Sequence, residues 1–228
     1  MTAQRPELKR NVDSLLRLLA WMSPAFPVGA FSYSGGLESA VGDHRVTDAK
    51  GLSDWIALSL RRGTLWNDAV ILWQAWNGFG DDAVLKEIAE LSRALAGSAE
   101  RYRETVLLGD AFVDAARAWP SSVFDRLPAS PTYPVAVGAV AAAHDIALQD
   151  VLAAYLHSGL SQLISAGIRL GVAGQKDGVA ILAGLEGAVG EVASRACAAT
   201  LDDLGSATII ADTAPMRHEV QGTRLFRS

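Results

Sequence analysis

The sequence predicts an all-α fold, on three observations. Alanine occurs 39 times and leucine 28 times, and both favour helix. Apolar residues recur at helical rather than strand spacing along most of the chain. The strand-like stretch Ala207–Ile210 is too short to define a sheet.

The elements follow in order. Val12, Leu15, Leu16, Leu19 and Met22 form a first stripe, ended by Pro24 and Pro27. Leu52, Trp55, Ile56 and Leu58 form a second, with Thr47 and Asp48 as candidate caps. A third starts at Asn67-Asp68, carries Ile71, Leu72, Ala75 and Trp76, and closes at Gly78 and Gly80. Asp81-Asp82 opens a stripe through Val84, Ile88, Leu91 and Leu95. Ser98 opens another through Val106, Phe112, Val113 and Ala116, stopped by Trp119-Pro120. The proline-rich segment Ser121–Pro134 reads as a long crossover inside one domain, because the same helical composition resumes beyond it. Val135–Ala147, Gln149–Ile168 and Asp177–Thr200 read as three further helices. The expectation is a single-domain helical bundle of roughly nine to ten helices over residues 1–213, with an extended C-terminal tail at 214–228.

Composition narrows the function. Half of the 228 residues are hydrophobic and 20% are charged, enough apolar surface for a sizeable core. A net charge of −5 supplies no cationic field for nucleic acid or an anionic membrane. The tryptophans fall mostly on helix stripes, as core rather than a base-stacking surface. The single cysteine, Cys197, excludes an internal disulfide framework and a thiolate zinc cluster. Met1–Arg10 is polar and lacks the apolar core of a secretory signal. The apolar, uncharged stretch Pro134–Ala143 is about half of the ~20 residues a membrane span needs. A soluble cytoplasmic protein, with neither nucleic acid nor membrane as partner, is expected.

Catalytic motifs do not emerge. The nearest approach to a phosphate loop, Gly171 to Lys176, has the wrong spacing and lacks the hydroxyl residue. Phe31-Ser32-Tyr33-Ser34-Gly35-Gly36 has serines and glycines, but not in the order of a nucleophile elbow. His44, His144, His157 and His218 are not paired at i, i+4 with a second metal ligand. No catalytic and no metal-ligating residue is assigned. An alternative, a small-ligand-binding or hydrolytic helical domain, would rest on Ser32, Ser34, Glu38 and His44, and would need the loop to fold back on its helix.

Two segments do not read as plain core. Ser23–Glu38 packs apolar groups into an irregular stretch broken by two prolines and three glycines. It is either a buried interhelical plug or a rigid docking surface. Ala214–Ser228 has little helical stripe, yet carries Leu225-Phe226 flanked by Arg224 and Arg227. It reads as a frayed terminus or as a segment that orders on binding, with Phe226 as anchor and the arginines as bidentate donors.

These segments carry a resemblance. Ser23-Pro-Ala-Phe-Pro-Val-Gly-Ala-Phe-Ser-Tyr-Ser-Gly-Gly-Leu-Glu38 is similar to the opening motif of UreF, a family of urease accessory proteins. Met216-Arg-His-Glu219 with Arg224-Leu-Phe-Arg-Ser228 resembles that family's ending. Tyr133-Pro134 with Gly138, and Gly174-Gln175 with Gly178, fall in order between them. The chain departs from the pattern at Val172-Ala-Gly-Gln175, which lacks a proline, and at Gln221-Gly-Thr223, which lacks an aromatic. The resemblance implies an all-α, dimeric, non-enzymatic scaffold. It would join UreD (also called UreH) and the GTPase UreG to apo-urease and modulate GTP-dependent nickel insertion. No cofactor would be bound tightly, nickel and GTP being handled by the partners. The residues implicated are Phe31, Tyr33 and Glu38 at or beside a subunit interface, and Gln175 and Lys176 on a partner-facing turn. By the same resemblance Arg217, His218, Glu219, Arg224, Leu225, Phe226 and Arg227 would form a partner-binding tail.

Overall fold

The computed structural model describes residues 12–228. The reading of Met1–Arg10 therefore lies outside the described residues. The described chain is helical throughout and contains no strand: α1 (Val12–Trp21), α2 (Leu37–Gly42), α3 (Ala49–Arg62), α4 (Thr64–Gly78), α5 (Asp82–Ala94), α6 (Ala99–Ala116), α7 (Tyr133–Ala143), α8 (Leu148–Arg169), α9 (Gln175–Ala196) and α10 (Ile209–His218). The expected all-α class is what the chain adopts.

The starts of α3, α5 and α6 follow the capping chemistry read from the sequence, whereas α4 begins at Thr64, ahead of the expected Asn67-Asp68. Asp48 accepts from Gly51 N–H at 2.8 Å, Asp81 from Ala83 N–H at 2.9 Å, and Ser98 from Arg101 N–H at 3.0 Å. Pro134 sits in the first turn of α7, where its missing N–H costs nothing.

The bundle is organised around α7. From Pro134 to Ala142 every residue of this helix is buried, so it is apolar all round rather than amphipathic. It lies between α4 and α6, and the approach to α4 is close enough that a Cβ on Gly138 would collide with the carbonyl of Leu72. α8 and α9 pair along their length and cover the other side of α4. By length and composition α8 could cross a membrane, but half of that stretch is buried inside the fold. An aromatic chain runs through the core, with Trp21–Phe112, Phe112–Tyr133 and Tyr133–Tyr155 centroids 5.8, 5.8 and 5.3 Å apart. Tryptophan N–H groups tie down connections: Trp66 donates to the Asp203 carbonyl at 2.8 Å and Trp76 to that of Ile146 at 3.0 Å.

Three further expectations need correction. The stripe Val12, Leu15, Leu16, Leu19 is exposed; α1 docks instead through Leu18 and Trp21. Residues 207–210 are not strand-like, since Ile209 begins α10. Residues 214–228 do not extend away as a tail. α10 packs on α2 and α6, and the residues after it fold back over the same surface. The periodicity hid α10 because its buried side chains are Ala214 and His218, one small and one polar, while Ile209 and Ile210 face outward.

Replacing Gly138 with alanine is expected to lower the unfolding free energy by about 1–3 kcal/mol, through overpacking against α4. Urea denaturation monitored by helical circular dichroism measures it.

Candidate functional site

The Ser23–Glu38 segment supplies a rigid receptor. Ala30–Ser32 forms a short 3₁₀ turn, and Gly35 and Gly36 take φ of +58° and +83° to start α2. Gly36 is constrained twice: it adopts a left-handed conformation, and a Cβ there would lie 2.7 Å from Pro215 Cδ of α10. α10 can thus lie against α2 only because residue 36 has no side chain. The turn leaves Ser34 and Glu38 buried and directed at the C-terminal residues.

At the centre stands His218, fully buried. Its Nδ1 lies 2.7 Å from Glu100 Oε2 on α6, and its Nε2 lies 3.0 Å from Glu38 Oε2 on α2. Both ring nitrogens face carboxylate oxygens, and both donate when the ring is cationic. Glu38 also accepts from the backbone N–H of Leu225 at 2.7 Å and of Phe226 at 2.9 Å. One carboxylate therefore grips a side chain of α10 and the backbone seven and eight residues later. Burial pushes the Glu38 carboxyl up, but the bonds from Leu225, His218 and Phe226 outweigh it, so it titrates below the ordinary glutamate value.

Around this clamp the rest of the hook, residues 219–228, is fixed. Arg224 reaches Glu100 Oε1 at 2.7 Å, and Glu219 accepts from the Glu100 N–H at 3.1 Å in the first turn of α6. Arg227 N–H donates to the Ser32 carbonyl at 2.8 Å, and the Ser34 hydroxyl and N–H both donate to the Ser228 carbonyl oxygen. Phe226 is buried beneath the Arg169 guanidinium, 4.2 Å from its ring centroid, while Arg169 also donates to the Phe31 carbonyl at 2.5 Å. Ser228 Oγ donates to Glu104 at 3.0 Å.

From Glu104 the polar network runs inward. Arg101 bonds Glu104 at 3.1 Å and grips both Asp68 oxygens at 2.9 and 2.7 Å; the Tyr155 hydroxyl donates to Asp68 at 2.9 Å. Burial raises the Tyr155 phenol well above its usual range, and nearby Asp68 adds to this. Burial also raises Glu104, with Arg101 opposing it. These groups border a cavity of about 640 Å³ between the 23–31 segment, α4, α6 and α8. Among the described residues, no group of three or more His, Cys, Asp or Glu side chains is arranged to hold a metal.

The arrangement unites the two segments that carried the family resemblance, and comparison with known proteins decides the matter. The UreF family model matches residues 46–186. A urease accessory protein UreF of Agrobacterium fabrum is 67% identical over 218 residues, covering 96% of this chain and 98% of its own. One from Rhizobium etli is 61% identical over 219 residues, with the same coverages. Urease accessory protein UreF 1 of Brucella abortus is 53% identical over 228 residues, the full length of both. The chain belongs to the UreF family.

In this UreF chain the residues named from sequence fall into four groups. Glu38, His218, Glu219, Arg224 and Phe226 meet in the clamp. Phe31 and Leu225 are exposed beside it, and Arg217 pairs with Asp43 at 2.7 Å on its edge. Tyr33 is buried and Arg227 exposed at the hook's far side. Gln175 and Lys176 lie elsewhere, exposed at the start of α9, where Asp177 accepts from the Gly174 N–H at 2.8 Å. His44 is exposed just past the end of α2 and is not among the groups bonded in the clamp, whereas Ser32, Ser34 and Glu38 already hold the hook.

Sequence reasoning missed Glu100, Glu104, Arg101 and Arg169. A signal existed for the first two. Stepping back four residues at a time from Ala116 gives Phe112, Leu108, Glu104 and Glu100, all buried. Carboxylates that continue an apolar stripe require internal partners.

His218→Ala leaves two buried carboxylates facing a void. It is expected to cost about 3–5 kcal/mol, read as a lower urea midpoint, and to speed trypsin cleavage after Arg224 by loosening the backbone there. Because Glu38 titrates below its ordinary value, its contribution is present above about pH 4.5 and lost as pH falls through the lowered value. The urea midpoint of the wild type should therefore fall more steeply on acidification below that pH than that of Glu38→Gln.

Proposed function

We propose that this protein is a non-enzymatic scaffold of urease maturation. It joins UreD (UreH) and the GTPase UreG to apo-urease in the cytoplasm and modulates GTP-dependent nickel insertion, with nickel as cargo and GTP turned over by the partner. Near-full-length similarity to urease accessory proteins supports the setting. The observation that carries the scaffold reading is the clamp. The ionic and hydrogen-bonding groups that could have served chemistry are spent on holding residues 219–228 in one shape. Such pre-ordering lowers the entropy cost of docking.

The partner surface is formed by the exposed side of the hook and the adjoining turn, with Phe31, Leu225 and Met216 as apolar contacts and Arg217, Arg224 and Arg227 around them. Tyr33, Glu38, His218, Glu219 and Phe226 act from beneath by fixing that surface. Gln175 and Lys176 form a second, polar contact at the start of α9. The protein forms a homodimer, for which the exposed α1 face, Val12, Leu15, Leu16 and Leu19, supplies apolar surface.

The test is co-purification with UreD, UreG and apo-urease, with and without GTP and nickel. Phe31→Asp and Leu225→Asp alter side chains 71% and 55% exposed, so helicity should be unchanged while capture falls at least tenfold. Undiminished capture of every partner by both variants would contradict the reading. Light scattering on the isolated protein checks the homodimer.

A further inference from the structure

Beside the clamp, on the outer face of α6, a cleft of about 360 Å³ opens between that helix and the hook. Its apolar lining is Tyr33, Leu107 and Phe226, and its charged lining is Arg103, Arg224 and Arg227 with Glu100. Glu100 is buried, and its carboxylate is engaged by His218 and Arg224. Arg103 and Arg227 are exposed, and among the described residues no carboxylate lies within ion-pairing distance of either. In a chain of net charge −5, this cleft concentrates cations on an apolar floor. Leu107, one turn after Arg103, is 51% exposed at its edge.

We infer that this cleft is a docking site for an acidic segment of a protein partner: Arg103 and Arg227 bind its carboxylates, Arg224 completes the rim, and an apolar side chain of the segment rests on Leu107, Tyr33 and Phe226. Charge complementarity selects the occupant. Guanidinium groups bind carboxylates in a fork geometry, and an apolar floor excludes water from those pairs. The cleft exists only while the hook is closed, because Arg224, Phe226 and Arg227 form one wall and α6 the other. The inference rests on the proposed scaffold role and adds to it Arg103 and Leu107, which lie outside both motifs.

The experiment measures affinity for purified UreD, UreG and apo-urease between 50 and 500 mM NaCl, using wild type, Arg103→Glu/Arg227→Glu, Leu107→Ser and Leu225→Asp. Neither substituted arginine side chain makes an ion pair in the isolated chain, so circular dichroism and the urea midpoint should not change. For one partner, the wild type should weaken steeply with salt. The double variant should lose at least tenfold in affinity at low salt together with most of that salt dependence, and Leu107→Ser should lose a few-fold without changing it. Wild-type affinity and salt dependence in the double variant, with Leu225→Asp impaired, would overturn this inference and leave the scaffold reading standing. No partner bound by the wild type, or none weakened by any variant, would overturn both.

Discussion

Glu38 and Glu100 are carboxylates buried on opposite sides of one imidazole, and a buried carboxylate is tolerated only with its hydrogen bonds made. His218 is the group that meets this demand for both at once. Because it sits on α10, the C-terminal helix must lie against α2 and α6. Because Glu38 has lone pairs left over, the backbone at Leu225 and Phe226 is drawn to the same point. The path of the last ten residues follows from this arrangement. So does the demand at residue 36, where only glycine allows α10 to approach.

A surface held this way differs from a mobile terminus in what it can do. A disordered segment pays its ordering entropy when it binds, whereas a hook already fixed by charge-assisted bonds has paid it during folding. The apolar residues left outward, Phe31 and Leu225, are then presented at fixed positions. The network through Glu104, Arg101 and Asp68 to Tyr155 joins the hook by hydrogen bonds to the interior of the bundle.

Much of the fold was legible in the sequence because its main helices obey local rules. Asp48, Asp81 and Ser98 cap where expected, and α7 is apolar throughout because it is surrounded. The site was legible in its composition but not its geometry. Both unusual segments stood out, yet nothing local links Glu38 to a histidine 180 residues later. α10 escaped because small and polar residues pack it. The stripe on α1 misled in the opposite direction, since its periodicity is real and its apolar face remains outside.

If Glu38 holds residues 219–228 closed in the isolated protein, hydrogen exchange of the Leu225 and Phe226 amides will show it. Both should be strongly protected in the wild type at neutral pH and lose that protection in Glu38→Ala. Exchange of both amides at the rate of an unstructured peptide in the wild type would contradict it.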